Sequence, residues 1–193
     1  KLNILTLTIR KLVEAGYVYI GMDHFAKADD EMAIAQREGT LQRNFEGYST
    51  KAGCDLFGLG MSAISHFGRN YAQNAKTLPE YYEAMRAGRF ATEVGYIMST
   101  DDEMRKHVIM RLMCDLRLDI GDVERKFGIR FDEYFAESLA KLEPLLADGL
   151  IEREGALYTV TMQGRLFLRN IAMCFDAYFP AIQKEKPIFS RTV

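Results

Sequence analysis

The sequence is poor in cysteine. Only Cys54, Cys114 and Cys174 occur in 193 residues, widely and almost evenly spaced. That spacing excludes a close cluster of metal thiolates within this chain. An odd, sparse set suits a reducing compartment better than a disulfide framework, so a cytoplasmic protein is expected. No apolar run approaches the roughly 18–20 residues that a membrane-crossing helix needs. Charge of one sign is lacking too: 25 basic against 27 acidic side chains give a net charge of −2. Nothing in that balance steers the chain to nucleic acid or to an anionic membrane. Internal repeats and low-complexity tracts are also missing.

What is present is an ordinary globular composition, 48% hydrophobic and 27% charged, long enough for one or two domains with a real core. The chain opens on Lys1 and runs at once into a periodic segment, so a truncated chain with a missing N-terminal part is expected. Residues 2–15 predict an amphipathic helix closed near Gly16. Tyr17 to Met22, aromatic and β-branched, predicts a buried strand. Helix, glycine break and apolar strand is the rhythm of a parallel sheet or barrel. Asp23, His24 and Phe25 then fall just past the strand's C-terminal end, the edge where such sheets hold ligands.

The stretch from Arg43 to His66 organises the chain. It is too irregular and glycine-rich for a helix, and its end, Leu56 to Ile64, reads as a buried strand. Gly58, Gly60 and Ala63 match the dinucleotide pattern GxGxxG/A. That pattern needs a helix to open at its third position. Gly68 cuts the run short and Ser62, Ile64 and Ser65 suit a strand, so the dinucleotide reading is rejected. The weaker inference kept is that Gly58 and Gly60 permit close approach of backbone or ligand. His24 beside Asp23 fits an oriented acid/base pair or a structural hydrogen-bonding group equally well. His66 and His107 show no partner in sequence and read as structural. Tyr48, Ser62 and Ser65 either meet a ligand or satisfy backbone groups. Arg43 either faces a carboxylate, which arginine reads bidentately, or is solvated.

Further along, Asp29 to Glu38 predicts a short helix capped by Asp29 or Asp30. Arg69 to Leu78 reads as a loop, Pro79 to Arg86 as a helix and Val94 to Met98 as a short strand or linker. Thr100 and Glu103 form a capping box. Helices then follow to about 116, over 120–127 and over 131–147, with Pro144 kinking the last or marking its last turn. A hairpin (150–152 and 157–160) and a final helix from Thr161 to about Phe179 complete a winged-helix-like order; an extended tail follows. Residues 101–180 carry 11 basic and 15 acidic side chains. The third helix and the wing are acidic, which argues against DNA binding.

Five runs carry a resemblance: Gly21 to Ala26, Asp29 to Glu31, Arg43 to Ser49, Leu59 to Ser65 and Gly164 to Asn170. On these the chain closely resembles the oxygen-independent coproporphyrinogen III oxidase family, radical S-adenosylmethionine enzymes of heme biosynthesis. The resemblance runs over essentially the whole chain, including Phe189 to Arg191, and corresponds to the C-terminal portion. It implies an α+β fold: the C-terminal part of a radical-SAM α/β barrel, then a mostly helical winged-helix-like domain. The implied domains are 1–75 (barrel), 76–99 (connection), 100–180 (helical domain) and 181–193 (tail).

The resemblance also implies chemistry. The family holds a [4Fe–4S] cluster on a CxxxCxxC motif. With S-adenosyl-L-methionine it makes a 5′-deoxyadenosyl radical that takes hydrogen from a propionate β-carbon of coproporphyrinogen III. Loss of CO₂ leaves a vinyl group, twice per substrate. Family adenosylmethionine contacts map onto Phe45, position 46 and Ile64. Phe45 and Ile64 match; position 46 departs, with Glu46 in place of Gln, so it accepts hydrogen bonds but does not donate. CxxxCxxC is absent from this sequence, so no metal ligand and no catalytic residue is assigned, and the chain alone is expected to be inert. A missing N-terminal barrel half and a monomeric parent are the partner expectations. A heme- or porphyrin-binding protein without redox chemistry is the alternative, and a winged-helix regulator ranks behind it.

Overall fold

The computed structural model describes residues 2–178. The chain falls into two compact units: one runs up to Thr50 and resumes at Met104, the other is Lys51–Glu103. In the first, α1 (Leu2–Glu14) ends at Gly16, which takes the left-handed conformation (φ 80°). Strand β1 (Tyr17–Gly21) buries Tyr19 and Ile20. It pairs antiparallel with β2 (His24–Lys27) through a turn at Met22, φ 55°. The parallel rhythm expected here is not what forms: every strand pair among the described residues is antiparallel. The cause is local, because the turn doubles the chain back and puts His24 and Phe25 into a strand rather than beyond one.

Helix α2 (Glu31–Glu38) is capped as expected by Asp30, whose side chain accepts the Met32 N–H, and stops at Gly39, φ 71°. Strands β3 (Gln42–Arg43) and β4 (Tyr48–Ser49) form a two-rung hairpin.

The second unit corrects two expectations. Leu56 to Ile64 is not a buried strand. Ahead of Ile64, which opens β5, only Leu56 makes a bridge, to His66, while Phe57, Leu59 and Met61 are exposed. Gly60 (φ 103°) and Ser62 (φ 59°) break the extended path. The loop's backbone is held by side chains: Ser65 Oγ accepts from Gly58 N (3.0 Å), and Asn74 Nδ2 donates to Gly60 O (2.9 Å). Nor is 69–78 a loop. Strand β5 (Ile64–Phe67) turns at Gly68 into β6 (Asn70–Asn74), which is polar yet central, flanked by β5 and by β7 (Thr92–Ile97). Ladder hydrogen bonds rather than apolar burial hold β6, so hydrophobic pattern does not reveal it. Helix α3 (Leu78–Arg86) lies between β6 and β7 in sequence. The stretch 76–99 therefore carries a helix and a laddered strand.

The cap of α4 (Thr100–Met110) sits one residue earlier than expected. Ser99 N donates to Asp102 Oδ2 (2.7 Å) and Asp102 N donates to Ser99 Oγ (3.1 Å), a reciprocal box on Ser99 and Asp102 instead of Thr100 and Glu103.

From Met104 on, the chain builds the main core. Met104, Val108, Leu112, Met113 and Leu116 are buried as their spacing predicts. The helix passes into a π-helical turn, Arg111–Asp115, and ends at Leu116, φ 59°. Strand β8 (Arg117–Asp119), which the sequence did not disclose, leads to α5 (Ile120–Phe127), closed by Gly128. The expected third helix is two, α6 (Phe131–Tyr134) and α7 (Ala136–Ala147), interrupted at Phe135. Pro144 sits inside α7 in its last turn. Strands β9 (Ile151–Glu154) and β10 (Leu157–Val160) complete a sheet of order β8-β10-β9. A 3-10 turn, Gly164–Phe167, precedes α8 (Leu168–Met173), so the final helix is shorter than expected. Phe179 and the tail from Pro180 lie outside the described residues. Phe131, Phe135 and Phe175 are buried together in this half, their rings tilted or edge-on to one another.

Gly164 is the tightest point. A Cβ there would stand 1.7 Å from Leu150 O. Gly164→Ala is expected to cost about 3 kcal/mol or more, since backbone must move to admit the methyl; chemical denaturation of both chains measures it.

Candidate functional site

The hairpin β3–β4 carries the first candidate. Its tip closes with Asn44 N donating to Gly47 O (2.9 Å) and Glu46 N donating to Asn44 Oδ1 (2.9 Å), an Asx-type turn. Asn44 is short enough to bond its own backbone, which leaves Phe45 at the apex, 60% exposed. Gly47 is obligatory for contact: its φ is 133°, and a Cβ would lie 2.9 Å from His24 Nε2. The tip is thereby pressed on β2. His24 stands edge-on to Tyr48 at 5.0 Å between ring centroids. His24 Nδ1 is 2.8 Å from Asp23 Oδ1, but at an approach outside aligned hydrogen-bond geometry. The Asp23–His24 pair therefore exists as a contact; the ring's main neighbours are the hairpin's Gly47 and Tyr48.

Tyr48 fixes the hairpin to the helical core. Its hydroxyl donates to Met113 O at 2.9 Å. A helix end leaves carbonyls without intrahelical donors, and here side chains reach them. Gln36 Nε2 from α2 donates to Cys114 O (2.9 Å) and also to Ile20 O of β1 (2.8 Å). Arg111 Nη1 donates to Gly39 O (2.9 Å) and to Asp115 Oδ2 (2.7 Å). Burial pushes the Tyr48 phenol above its ordinary value, so it stays a neutral donor. The same burial pushes the Cys114 thiol up to about 12, which leaves it inert as a nucleophile or ligand.

Arg43 lies over the Tyr48 ring, with Cζ 4.9 Å from the centroid, and its Nη1 is buried without a hydrogen-bond partner. It is half-buried against an aromatic face, and no ion pair to a carboxylate is seen for it among the described residues. Arg165 donates to Tyr19 O (3.0 Å), tying the turn before α8 to β1.

Ile64, the second candidate, opens β5 in the other unit and is partly buried. A Cβ on Gly58 would meet Ile64 O at 2.8 Å, so the close approach expected of Gly58 is backbone against backbone. Gly60 has nothing within 4 Å of its Cβ position; its role is conformational.

The cysteines do not gather. Cys54 is exposed, while Cys114 and Cys174 are buried. Among the described residues no group of three His, Cys, Asp or Glu side chains is placed to hold a metal. The residues described here therefore do not fit an iron–sulfur cluster. No helix among them is long and apolar enough to cross a membrane.

Comparison with known proteins places these features. The family described as the HemN C-terminal domain matches residues 98–167. The oxygen-independent coproporphyrinogen III oxidase of Salmonella typhimurium (strain LT2) is 51% identical over 178 residues, which is 92% of this chain and 39% of the relative. That of Pseudomonas aeruginosa is 46% identical over 193 residues, 100% of this chain and 42% of the relative. The solved structure titled coproporphyrinogen III oxidase (HemN) from Escherichia coli, a radical SAM enzyme, aligns with a TM-score of 0.89 at 49% identity. It covers 92% of this chain and 41% of that one.

The chain is homologous to the oxygen-independent coproporphyrinogen III oxidases. It spans about two fifths of the length of the curated relatives quoted. Within the oxidase homology, the resemblance drawn from Gly21–Ala26 and Arg43–Ser49 acquires a structural reason. The two runs form one contact, His24 on Gly47 and Tyr48. Sequence reading missed Gln36 and Arg165, polar side chains whose long-range carbonyl partners carry no local signature.

Tyr48→Phe is expected to destabilise the chain by about 1–3 kcal/mol by leaving the buried Met113 carbonyl unpaired. Urea unfolding at neutral pH reads the loss.

Proposed function

We propose that the chain forms the C-terminal part of an oxygen-independent coproporphyrinogen III oxidase. That enzyme converts two propionates of coproporphyrinogen III to vinyls by oxidative decarboxylation, giving protoporphyrinogen IX. The observation that carries the reading is 46–51% identity to the curated oxidases over 92–100% of the chain. The E. coli likeness at TM-score 0.89 adds that the fold is kept along with the sequence.

Phe45 and Ile64 are the residues we assign to adenosylmethionine. Phe45 supports the assignment by its exposure at the apex of a braced turn; an aromatic side chain suits packing on an adenine or ribose. Ile64 is a partly buried apolar group at a strand start. When bound, the cofactor supplies the radical chemistry; the protein's share is orientation and exclusion of water. In this scheme the hairpin orients, because Asn44, Gly47 and Tyr48 hold the Phe45 backbone from both ends. Glu46 sits beside Phe45 and contacts the cofactor through main chain or as an acceptor only. The [4Fe–4S] ligands belong to the part of the parent that precedes this sequence.

The finer architecture follows the same assignment. Residues 1–75 are late elements of the α/β barrel, 76–99 a connection and 100–180 a winged-helix-like domain. Helices α5 to α7 followed by the hairpin β9–β10, which β8 joins from ahead of α5, support the winged-helix description. The parent is assigned as a cytoplasmic monomer.

Supplied with iron, sulfide and reductant, the chain alone is expected to leave adenosylmethionine uncleaved. Joined to a CxxxCxxC-bearing N-terminal portion of a relative it is expected to gain cleavage, and Phe45→Ala in that joined protein to lose most of it. A heme titration giving a Soret shift with this chain would overturn the assignment in favour of a carrier.

A further inference from the structure

His107 takes no part in the site above, yet it is largely buried between two charged partners. It projects from α4, its side chain 16% exposed. Lys126 Nζ lies 3.1 Å from its Nδ1, and Asp122 Oδ2 lies 3.4 Å from its Nε2; both partners stand on α5. The Phe127 ring packs edge-on to the imidazole at 5.5 Å. An ammonium has donors and no acceptor. Lys126 must therefore donate to Nδ1, which must hold its lone pair. The proton of the neutral ring is then on Nε2, where it faces the Asp122 carboxylate. Chemistry alone fixes the direction of the chain: Lys126 to His107 to Asp122.

We propose that His107 is a pH-operated latch between α4 and α5: the neutral ring bridges Lys126 and Asp122, and protonation releases Lys126. A proton on Nδ1 removes the acceptor and sets an imidazolium 3.1 Å from an ammonium. Three charged groups face the ring: Lys126 and Asp122 from α5, and Arg111 from the π-helical turn. Two are cations. The one anion is half-exposed and shared with Arg125, whose Nη2 is 3.8 Å from its other oxygen. Burial first, then Lys126, holds the imidazole below its ordinary range, and the hydrogen bond to Asp122 opposes them only in part.

The sign follows from linkage. A group whose folded value is depressed takes its proton first in the unfolded chain. The latch is fully closed above about 6.5, the ordinary imidazole value, and stability is lost as pH falls below it towards the folded value. Acidification loosens the seating of α5, whose Ile120 and Val123 belong to the core.

The test is an NMR titration of the three histidines of the chain, with His107 assigned by H107Q. Lys126 is exposed, so K126Q retains the fold. The His107 midpoint is expected below about 6.5, to rise in K126Q and to fall further in D122N. The melting temperature is expected to drop between pH 7 and pH 5 by more in the native chain than in H107Q. A His107 midpoint at or above the ordinary value, or one that K126Q does not move, would overturn the latch.

Discussion

The structure of the larger unit depends on how the end of α4 is satisfied. A buried helix terminus leaves carbonyls that cost free energy unless donors reach them. Here Tyr48 from a hairpin and Gln36 from a helix supply those donors to Met113 and Cys114, and Val160 N supplies one to Leu116 O at 2.9 Å. Gln36 also bonds Ile20 O, so a single amide joins β1, α2 and the π-helical turn. Segments almost eighty residues apart in sequence are thereby held to one short piece of backbone. Each bond is modest alone, about 1 kcal/mol net; losing one leaves a buried carbonyl unpaired and costs more.

That arrangement gives the hairpin its character. A two-rung ladder is too small to be stable alone. Tyr48 anchors one side, Gly47 seats against His24, and Arg43 covers the Tyr48 ring. The apolar group left outward at the tip is Phe45, between exposed Asn44 and Glu46. A braced backbone presenting one exposed aromatic is what a cofactor contact needs, since little ordering entropy is left to lose on binding. That is the role proposed for Phe45 above.

Much of the fold was legible where one periodicity dominated. Helices α1, α2, α3 and α5 form where the sequence places them, α1 closing near Gly16 and α2 opening on its Asp30 cap. Legibility failed where long-range pairing outweighed local pattern. Strand β6 is polar because its place is fixed by two neighbours rather than by burial, and β8 is only three residues long. The apolar run 56–64 looked like a core strand, but its glycines and Ser62 turn it into a loop held by Ser65, Tyr81 and Asn74. For the candidate site, the motif runs pointed to Phe45 and Ile64; of the two glycines read as points of close approach, Gly58 is one, whereas Gly60 has nothing within 4 Å of its Cβ position. The tie from Tyr48 to Met113, 65 positions away, leaves no trace in local sequence.

The π-helical turn is the hub on which β1, α2 and the hairpin are seated. Amide hydrogen exchange across the chain tests it most directly. Amides of 111–116 and of β1 should exchange slowest and together, through one cooperative opening, with hairpin amides 43–48 protected to a lesser degree. If 111–116 exchanged ahead of the hairpin, or independently of β1, the hub would not exist and the account would fail.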